Sequence, residues 1–458
     1  MTRDRFLLAA ALLLLAGLLL SLLSVHVDEN DGAVYVVIAR HLAQDRAPFH
    51  LRYLTETLPV FHEHPPLWLW VQAAALTAWP GLHLGLVGAL CALGTAAATF
   101  SIGRTLLGAR AAFLGTLLLV TNESFFRWSP TAKLDPPLVL LFTLTVAVLL
   151  RAGTSAGWLA LGGLLAGVGA LVKGAPALGA PVAAALVLFC SGRRAALRSL
   201  RAWLLVAGCA LAPLALFAAA DRAATGGAWL HGYLHDQLLP SLSGRRSDGR
   251  GHLQLLADLL GRGLPIVALA PLALVRERRG RLGLLLWAAL VIGAFSAAAR
   301  SFWWYFLPAL PPLALLAGAA ADDLLVRLGQ ERLAERVLPR AAALLGLALL
   351  LLLPLRLARH AVRPCRFGSL ALRLDALAPP GATLGLVPVD YPNQALLAEH
   401  TRRDVVLRDG LAELPPRVAL ALTVGLPGPA RGWRVVAREG RVALVEREAR
   451  TDLVARPP

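Results

Sequence analysis

The sequence predicts an all-α polytopic membrane protein of about 11 transmembrane helices, followed by a small C-terminal α/β domain. Of the 458 residues 57% are hydrophobic and only 16% are charged, and the mean hydropathy is +0.64. Soluble domains average about 45–50% apolar and about 25% charged residues. Apolar runs long enough to cross a bilayer recur up to residue 358, whereas residues 360–458 alternate short strand-like segments with one helix.

Arginine produces the formal net charge of +17, because the 45 basic residues include only two lysines, Lys133 and Lys173. The arginines lie largely in short gaps between apolar runs, which is typical of cytoplasmic loops. A nucleic-acid binder would gather them on a solvated domain, so we expect no nucleic-acid partner. The four cysteines have no C-x-x-C spacing, which argues against a zinc or redox site.

The first apolar run extends from Phe6 to Val25 and follows Arg3 and Arg5, so it should place the N-terminus inside and the next loop outside. Further apolar runs occupy residues 84–103, 111–121, 136–150, 157–172, 175–190, 202–220, 254–275, 282–299, 302–320 and 341–358. When sides alternate from an inside N-terminus, every loop that falls inside carries arginine. The assignment is therefore consistent with the positive-inside rule.

Two domains are expected. Residues 1–358 form the membrane domain, in which residues 26–65 are a polar first outer loop and residues 66–79, with three tryptophans, are an interfacial helix. Residues 359–458 form an extracytoplasmic α/β domain. Its strands are expected at 382–389, 404–409, 417–424, 433–440 and 441–448, and its helix at 393–401. It contains no cluster of reactive residues, so we expect a cap or scaffold.

Ionisable groups that a simple membrane protein would not need concentrate in loops assigned to the outer face. They are Asp28 with Glu29, then His62, Glu63 and His64, then Lys133 with Asp135, then Lys173, and finally Arg300 with Tyr305. A charge within the membrane costs about 2.5–3.5 kcal/mol on insertion scales, so such residues tend to be paired or functional. We therefore expect one shared site on the outer face.

The mixture of charges suits one kind of chemistry. A carboxylate can accept a proton from a nucleophile while cations stabilise a departing phosphate, and a lipid-linked phosphosugar would supply that leaving group. Each residue alone also has a structural explanation: Asp28 as a helix N-cap, Arg300 as a snorkelling anchor, His64 as a turn residue. These separate explanations do not account for the concentration of so many ionisable residues in loops assigned to one face.

Five motifs occur in order along the chain. They are an Asp-Glu pair followed by Tyr35, an E-x-P-P-L-x-x-W element at Glu63 to Trp70, an outer loop with Asp135, L-V-K-G at Leu171 to Gly174, and Y-x-L-P-x-x-P-P at Tyr305 to Pro312. This order resembles the GT-C glycosyltransferases. It is most similar to the branch that holds the dolichyl-phosphate-mannose protein mannosyltransferases and the bacterial aminoarabinose transferases of lipid A. The resemblance covers residues 1–320 and does not include the C-terminal domain.

The resemblance implies roles for individual residues. Asp28 would be the main catalytic or acceptor-binding carboxylate, with Glu29 beside it and Asp135 as the second acid. The donor phosphate would be contacted by Lys173 and Arg300. We also expect His64, Lys133 and Tyr305 at the donor phosphate.

The sequence departs from the family at His64, which stands where a lysine usually precedes P-P-L. Either its acidic neighbours keep His64 protonated, or Lys133 or another cation takes over. The triplet His62, Glu63 and His64 could also ligate a divalent metal with His231 or His235 of the loop 221–253. No other cofactor is expected.

The sequence thus predicts a hexosyl or pentosyl transferase of the bacterial inner (plasma) membrane. It would move a sugar from a polyprenyl-phosphate donor to a lipid, glycan or protein acceptor, by inverting displacement at the outer face. One alternative is a transporter or lipid flippase, which would need charges or broken helices at mid-membrane, commonly in repeated halves. Another is an assembly protein with an outer sensing domain, but it would leave the first loop unexplained.

Overall fold

A computed structural model of the chain forms two compact units. One comprises Met1–Val25 with His62–Arg356, and the other comprises His26–Phe61 with Leu357–Pro458. The structure describes residues 3–23, 31–193, 195, 199–243, 245, 253–275, 280–297, 302–355, 370, 373–374, 377–378, 381–388, 390–425 and 432–448. We call the first the membrane unit, because it contains every described helix that is long and apolar enough to cross a bilayer.

The membrane unit is entirely helical where it is described. Its α-helices are α1 (Arg3–Leu23), α3 (Leu67–Ala78), α4 (Gly85–Leu106), α5 (Ala109–Thr121), α6 (Glu123–Trp128), α7 (Asp135–Ala152), α8 (Ala156–Lys173), α9 (Gly179–Cys190), α10 (Leu200–Thr225), α11 (Ala228–Gly232), α12 (Leu239–Leu242), α13 (Gln254–Arg262), α14 (Ile266–Leu269), α15 (Arg281–Ala297), α16 (Leu310–Arg327) and α17 (Leu338–Leu351). The 3₁₀ segments are Ala175–Leu178, Ala270–Val275 and Trp303–Ala309, and the π segments are Tyr233–Leu238 and Leu333–Val337. The predicted multi-pass helical fold is confirmed.

Each apolar run predicted from the sequence coincides with a helix or a pair of helical segments. Seven of the described helices are long and apolar enough to span a membrane, or eight if one bent pair forms a single span. The shorter helices α5 and α15 and the segment Ala175–Cys190 occupy the remaining predicted runs. The predicted total of about 11 spans therefore remains a prediction.

The run 254–275, predicted as one span, is broken in the structure. Gln254–Arg262 and Ile266–Val275 meet at an angle of 98°. Pro265 has no N–H to continue the helix, which leaves preceding carbonyl groups without helical donors. The side-chain amide of Asn122, the residue between α5 and α6, donates to the carbonyl oxygens of Arg262 and Leu264, at 3.2 and 3.3 Å, and so satisfies carbonyl groups at the break.

Small residues let the helices of this unit approach closely. Gly163 and Gly167 lie one turn apart on α8 and face the backbone of α10 at Val206 and Ala210, where a Cβ on either glycine would collide with a carbonyl oxygen. Association of membrane helices depends on such close packing, because lipid is as apolar as the side chains. The pair therefore fixes α8, whose last residue is Lys173.

The second unit is an α/β fold. Its elements are α2 (Asp31–Asp45), α18 (Tyr391–Thr401), the 3₁₀ turn Leu411–Glu413, and strands β1 (Leu384–Val387), β2 (Val405–Leu407), β3 (Leu420–Val424), β4 (Trp433–Glu439) and β5 (Val442–Arg447). The strand order is β2-β1-β3-β5-β4, with β1 parallel to β2 and β3, and β5 antiparallel to β3 and β4. The predicted strands, the helix between the first two, and the small α/β domain are confirmed.

The first loop belongs to a different unit from the one that the sequence predicts. The sequence analysis assigns residues 26–65 to the membrane domain, but His26–Phe61 cluster with the C-terminal residues. Leu51, Tyr53, Leu54 and Phe61 are each at most 2% exposed. Helix α2 packs on α18. The first loop is therefore part of the fold of the α/β unit.

Candidate functional site

The candidate site is built around a buried ion pair between two neighbouring helices of the membrane unit. The ammonium of Lys173 contacts the carboxylate of Asp135, and their side chains are only 9% and 6% exposed. Asp135 is the first residue of α7 and Lys173 is the last residue of α8. Because α7 packs on α8, these two helix ends lie side by side.

Both charges lie at the helix ends that favour them. A carboxylate is stabilised at a helix N-terminus and an ammonium at a C-terminus. Pro136 and Pro137 occupy the first turn of α7, where a missing N–H costs nothing. Gly174 ends α8 with φ of +81°, which glycine adopts without strain.

A second lysine joins the same cluster through an aromatic ring. The ammonium of Lys133 lies 3.3 Å from the ring centroid of Trp128 and 6.0 Å from that of Trp304. The indole N–H of Trp128 donates to the other carboxylate oxygen of Asp135, at 3.4 Å. Trp128 therefore touches both the acid and the second cation of the site.

The turn that carries Lys133 is held from two helices. The side-chain amide of Gln72 on α3 donates to the carbonyl oxygen of Ala132 at 2.6 Å, and Trp68 donates to the same oxygen at 3.3 Å. On α4, a Cβ at Gly88 would collide with the carbonyl oxygens of Ser129 and Thr131. Residues far apart in sequence therefore set the backbone next to Lys133.

The segment Trp303–Ala309 forms an aromatic wall beside this cluster. The ring of Trp304 stacks on Trp128, with centroids 5.0 Å apart. The ring centroid of Tyr305 lies 5.0 Å from the ammonium of Lys173. The guanidinium of Arg262, at the end of α13, lies 4.6 Å from the ring centroid of Trp303. Cations and aromatic faces therefore alternate around Asp135.

A second polar group lies between the end of the first loop and residues 231–236. The imidazole of His62 is 2.9 Å from the carboxylate of Asp236. A Cβ on Gly232 would lie 3.1 Å from Cγ of His62, so this glycine permits the close approach. The rings of His231 and His235 are tilted by 36° relative to each other, with centroids 4.2 Å apart.

This second group approaches the ion pair through Tyr233. A Cβ on Gly174, the residue after Lys173, would collide with the Tyr233 hydroxyl. Burial raises the pKa of Tyr233, so the phenol remains protonated near neutral pH. The ring of Tyr233 stacks on Trp229, with centroids 5.6 Å apart. The tyrosine therefore packs between its aromatic neighbour and the end of α8.

The structure brings together four of the predicted site residues: Asp135, Lys173, Lys133 and Tyr305. Asp28, Glu29 and Arg300 lie outside the described residues. Glu63 and His64 are half-buried just before α3. Of the five histidine and glutamate residues named as possible metal ligands, His62 pairs with Asp236. Among the residues that the structure describes, no three His, Cys, Asp or Glu side chains are grouped to hold a metal ion.

Several residues of the site were not anticipated from the sequence, namely Trp128, Trp304, Arg262, Tyr233 and Asp236. For Trp128 a signal existed, since it ends α6, the short helix that leads to Lys133 and Asp135. For Arg262 and Tyr233 no signal existed, because their contacts to Trp303 and Gly174 join residues about 40 and about 60 positions apart in sequence.

Comparisons with known proteins support the resemblance found in the sequence. Residues 63–218 match the sequence model of the dolichyl-phosphate-mannose-protein mannosyltransferase family, a stretch that includes Asp135 and Lys173. A comparison with curated protein sequences yields no match.

Solved structures share the fold. The crystal structure of ArnT from Cupriavidus metallidurans bound to undecaprenyl phosphate superposes with a TM-score of 0.72 at 19% identity, covering 96% of this chain and 97% of that one. The archaeal oligosaccharyltransferase AglB from Archaeoglobus fulgidus, in complex with an inhibitory peptide and a dolichol-phosphate, gives 0.55 at 13% identity, covering 92% and 69%. The chain therefore has the fold of the GT-C glycosyltransferases and is a multi-pass membrane protein.

Proposed function

We propose that the protein is a glycosyltransferase that moves a sugar from a polyprenyl-phosphate donor to a lipid, glycan or protein acceptor. The family match, the shared fold, and the polyprenyl phosphates bound in two structures of that fold support this proposal. The observation that carries it is the buried Asp135–Lys173 pair with Lys133 beside it, at helix ends. The location is the bacterial inner membrane, with the site and the α/β unit on the outer face.

The reaction is an inverting displacement. An acceptor oxygen attacks the anomeric carbon, the bond from that carbon to the phosphate oxygen breaks, and the bonding electrons leave with the polyprenyl phosphate. Asp28, with Glu29 beside it, accepts the proton of a hydroxyl acceptor, whereas a phosphate acceptor needs only positioning. This displacement can be written without a metal ion. His62, Glu63, His231 and His235 remain candidate metal ligands.

Lysines and an aromatic face bind the donor phosphate. Lys173 and Lys133 place two ammonium groups near one carboxylate, so the described cluster has an excess of positive charge suited to a phosphate. Tyr305 lies against Lys173 and supplies a phenol at the same place. Arg300 and His64 complete the proposed phosphate contacts from neighbouring segments.

Lys133 takes the place of the lysine that this sequence lacks before P-P-L. Its side chain is 6% exposed and packs on Trp128, which restricts the ammonium to a small volume. A cation fixed in this way stabilises phosphate better than a mobile one, because little reorganisation is needed when charge develops. His64 then needs no permanent charge.

The test is transfer by the purified, full-length protein in lipid. A radiolabelled polyprenyl-phosphate sugar is supplied with bacterial membrane extract, and labelled acceptors are counted. Lys173→Met should lower transfer about 10²–10³-fold, the loss typical for one electrostatic stabiliser of a transition state. Arg127→Gln is the matched control, because it removes an exposed ion pair with Glu123 on nearby α6. Equal transfer by wild type and Lys173→Met would contradict the proposal.

One observation favours a transporter instead, namely the broken helix at residues 263–265. The same preparation in sealed vesicles distinguishes the two. Movement of the labelled donor between leaflets without any labelled product would support transport. Labelled product from a donor already in the outer leaflet would support the transferase.

A further inference from the structure

A buried carboxylate near the end of α10 fixes the turn that follows this helix. Asp221 is 0% exposed, and its two oxygens accept hydrogen bonds from different groups: the hydroxyl of Thr225 at 2.5 Å and the backbone N–H of Leu230 at 2.9 Å. The hydroxyl of Thr225 in turn accepts from the N–H of Ala228 at 3.0 Å. A carboxylate can be buried only if its oxygens are bound in this way. Asp221 therefore sets the path of residues 225–230.

This turn holds the ring of Tyr233 in place. Trp229, which is only 4% exposed, packs edge-on against Phe217 of α10, with ring centroids 5.2 Å apart. Its ring also stacks on that of Tyr233, with centroids 5.6 Å apart. On α3, the ring centroid of Trp70 lies 6.0 Å from that of Phe217. The ring of Tyr233 is therefore supported by two helices through Trp229 and Phe217.

The hydroxyl of Tyr233 lies at the end of α8, next to the lysine of the ion pair. It packs so closely on Gly174 that a Cβ there would collide with it, and Gly174 directly follows Lys173. The ring centroid of Tyr305 lies 5.0 Å from the ammonium of Lys173. Tyr233 is also the first residue of the π segment Tyr233–Leu238, and single π turns are frequent at functional sites. Two tyrosines therefore lie near Lys173, one against its side chain and one against the residue that follows it.

The hydroxyl of Tyr233 is available to a ligand. None of the residues that the structure describes forms a hydrogen bond with it, although the side chain is half-buried. A half-buried hydroxyl without a partner costs free energy unless another molecule binds it. Because burial raises the pKa of Tyr233, the group is a neutral phenol near neutral pH and can donate one hydrogen bond. Its position and its proton suit an anion bound at Lys173.

We infer that Tyr233 is a further phosphate-binding residue of the site: its hydroxyl donates a hydrogen bond to a phosphate oxygen of the polyprenyl-phosphate donor, beside Lys173. The inference rests on the proposed function, which supplies that phosphate. A hydrogen bond to a charged oxygen is about twice as strong as one between neutral groups. Because the ring is already held by Trp229, binding costs little side-chain freedom. Asp221 is a positioning residue, since it acts through the turn that carries Trp229 and Tyr233.

The experiment measures binding of two lipids to the full-length protein in detergent by native mass spectrometry: undecaprenyl phosphate, and undecaprenol as the ligand without a phosphate. Tyr233→Phe should weaken binding of undecaprenyl phosphate about tenfold, the loss typical of one hydrogen bond to a charged group. Binding of undecaprenol and the melting temperature should stay as in wild type, because phenylalanine keeps the stack on Trp229. Tyr391→Phe is the matched control, because it removes the hydroxyl of an exposed tyrosine on α18, and it should bind both lipids like the wild type.

Asp221→Asn tests how Tyr233 is positioned. A carboxamide has only one accepting oxygen, so it cannot accept from both Thr225 and Leu230, and the turn loosens. Binding of undecaprenyl phosphate should weaken, and adding Tyr233→Phe should weaken it no further, because both changes remove the same contact. Two losses that multiply would show that Asp221 acts independently of Tyr233 and would overturn its positioning role.

The binding measurement also separates this inference from the proposed function. Equal affinity of the wild type and Tyr233→Phe for undecaprenyl phosphate, or an equal loss of affinity for undecaprenol, would overturn the inference. Sugar transfer by the wild type would then still uphold the proposed function. If the loss is specific to the phosphate but the wild type transfers no sugar, the contact made by Tyr233 stands and the proposed function is contradicted.

Discussion

The carboxylate of Asp135 and the ammonium of Lys173 form an ion pair that joins the N-terminus of α7 to the C-terminus of α8. The pair links two helices of the membrane unit and also holds a lysine at the proposed phosphate site. These two roles can be separated by experiment, because removing one partner and removing both have different physical consequences.

Asp135→Asn should destabilise the protein by about 3–5 kcal/mol, because it leaves the Lys173 ammonium buried without its carboxylate. Asp135→Asn combined with Lys173→Met should recover part of that loss, since the double variant no longer buries the Lys173 charge without its carboxylate. Thermal unfolding in detergent measures both variants. If the double variant is less stable than Asp135→Asn, then the charges of Asp135 and Lys173 do not compensate each other, and the prediction is wrong.

Gly174→Ala should reduce both stability and transfer. The φ of +81° disfavours any residue with a Cβ, and the added methyl would collide with the Tyr233 hydroxyl. Strain at such a backbone position costs about 1–3 kcal/mol. Adding Tyr233→Phe removes the hydroxyl, so the double variant should be more stable than Gly174→Ala but still below wild type. Melting temperatures of the three proteins check this order. Gly108→Ala isolates the backbone contribution, because Gly108 has a positive φ with an extended ψ like that of Gly174, and a Cβ there meets no other atom.

Lys133→Leu should lower transfer about 10²–10³-fold while leaving the melting temperature nearly unchanged, because leucine can still pack on Trp128. The informative variant adds His64→Lys, which restores the lysine that the family has before P-P-L. If Lys133 supplies the missing charge, Lys133→Leu with His64→Lys should be faster than Lys133→Leu alone. Initial rates at saturating donor measure this, and an unaltered rate would remove Lys133 from the phosphate site.

The α/β unit should lose stability as the pH falls. Burial lowers the pKa of His41 below its ordinary value of 6.5, and its Nδ1 lies 3.2 Å from the carbonyl oxygen of Arg52. Below pH 6.5 the unfolded chain binds a proton that the folded unit resists, so stability is full above that pH and decreases below it. Hydrogen exchange of α2 between pH 7 and pH 5 should show this slope, and His41→Gln should flatten it. An equal pH dependence of exchange in the wild type and in His41→Gln would show that His41 does not cause the loss of stability.

The helical part of the fold could be predicted because each span is a local feature. A run of about 20 apolar residues has one stable arrangement in a bilayer, so α1, α4 and α10 follow from length and composition. The break at residues 263–265 could not be predicted from apolar content, since it depends on Asn122 being available to satisfy the exposed carbonyl groups. The strands of the α/β unit were visible as alternating segments between turn residues.

The site was only partly predictable. Asp135, Lys173 and Lys133 were recognisable because charges are costly beside apolar runs. Most of the aromatic residues were not, since tryptophan and tyrosine are common at membrane interfaces and nothing local distinguishes Trp304 or Tyr233. Outside the site, the hydrogen bonds that Arg408 and Arg417 donate to Glu56 in the first loop could not be predicted either. An acidic residue in a polar loop has no sequence feature that identifies its partners more than 350 residues away.

The division of the α/β unit between two distant parts of the chain also sets an order of events during synthesis. From Phe61 to the first strand at Leu384 there are about 320 residues, which take about 15–65 s to translate at 5–20 residues per second. Throughout that interval the buried residues Leu51, Tyr53, Leu54 and Phe61 have not yet met the sheet that completes their unit. A polypeptide that stops before residue 384 therefore lacks the strands with which its first loop forms a compact unit, whichever helices it has already inserted.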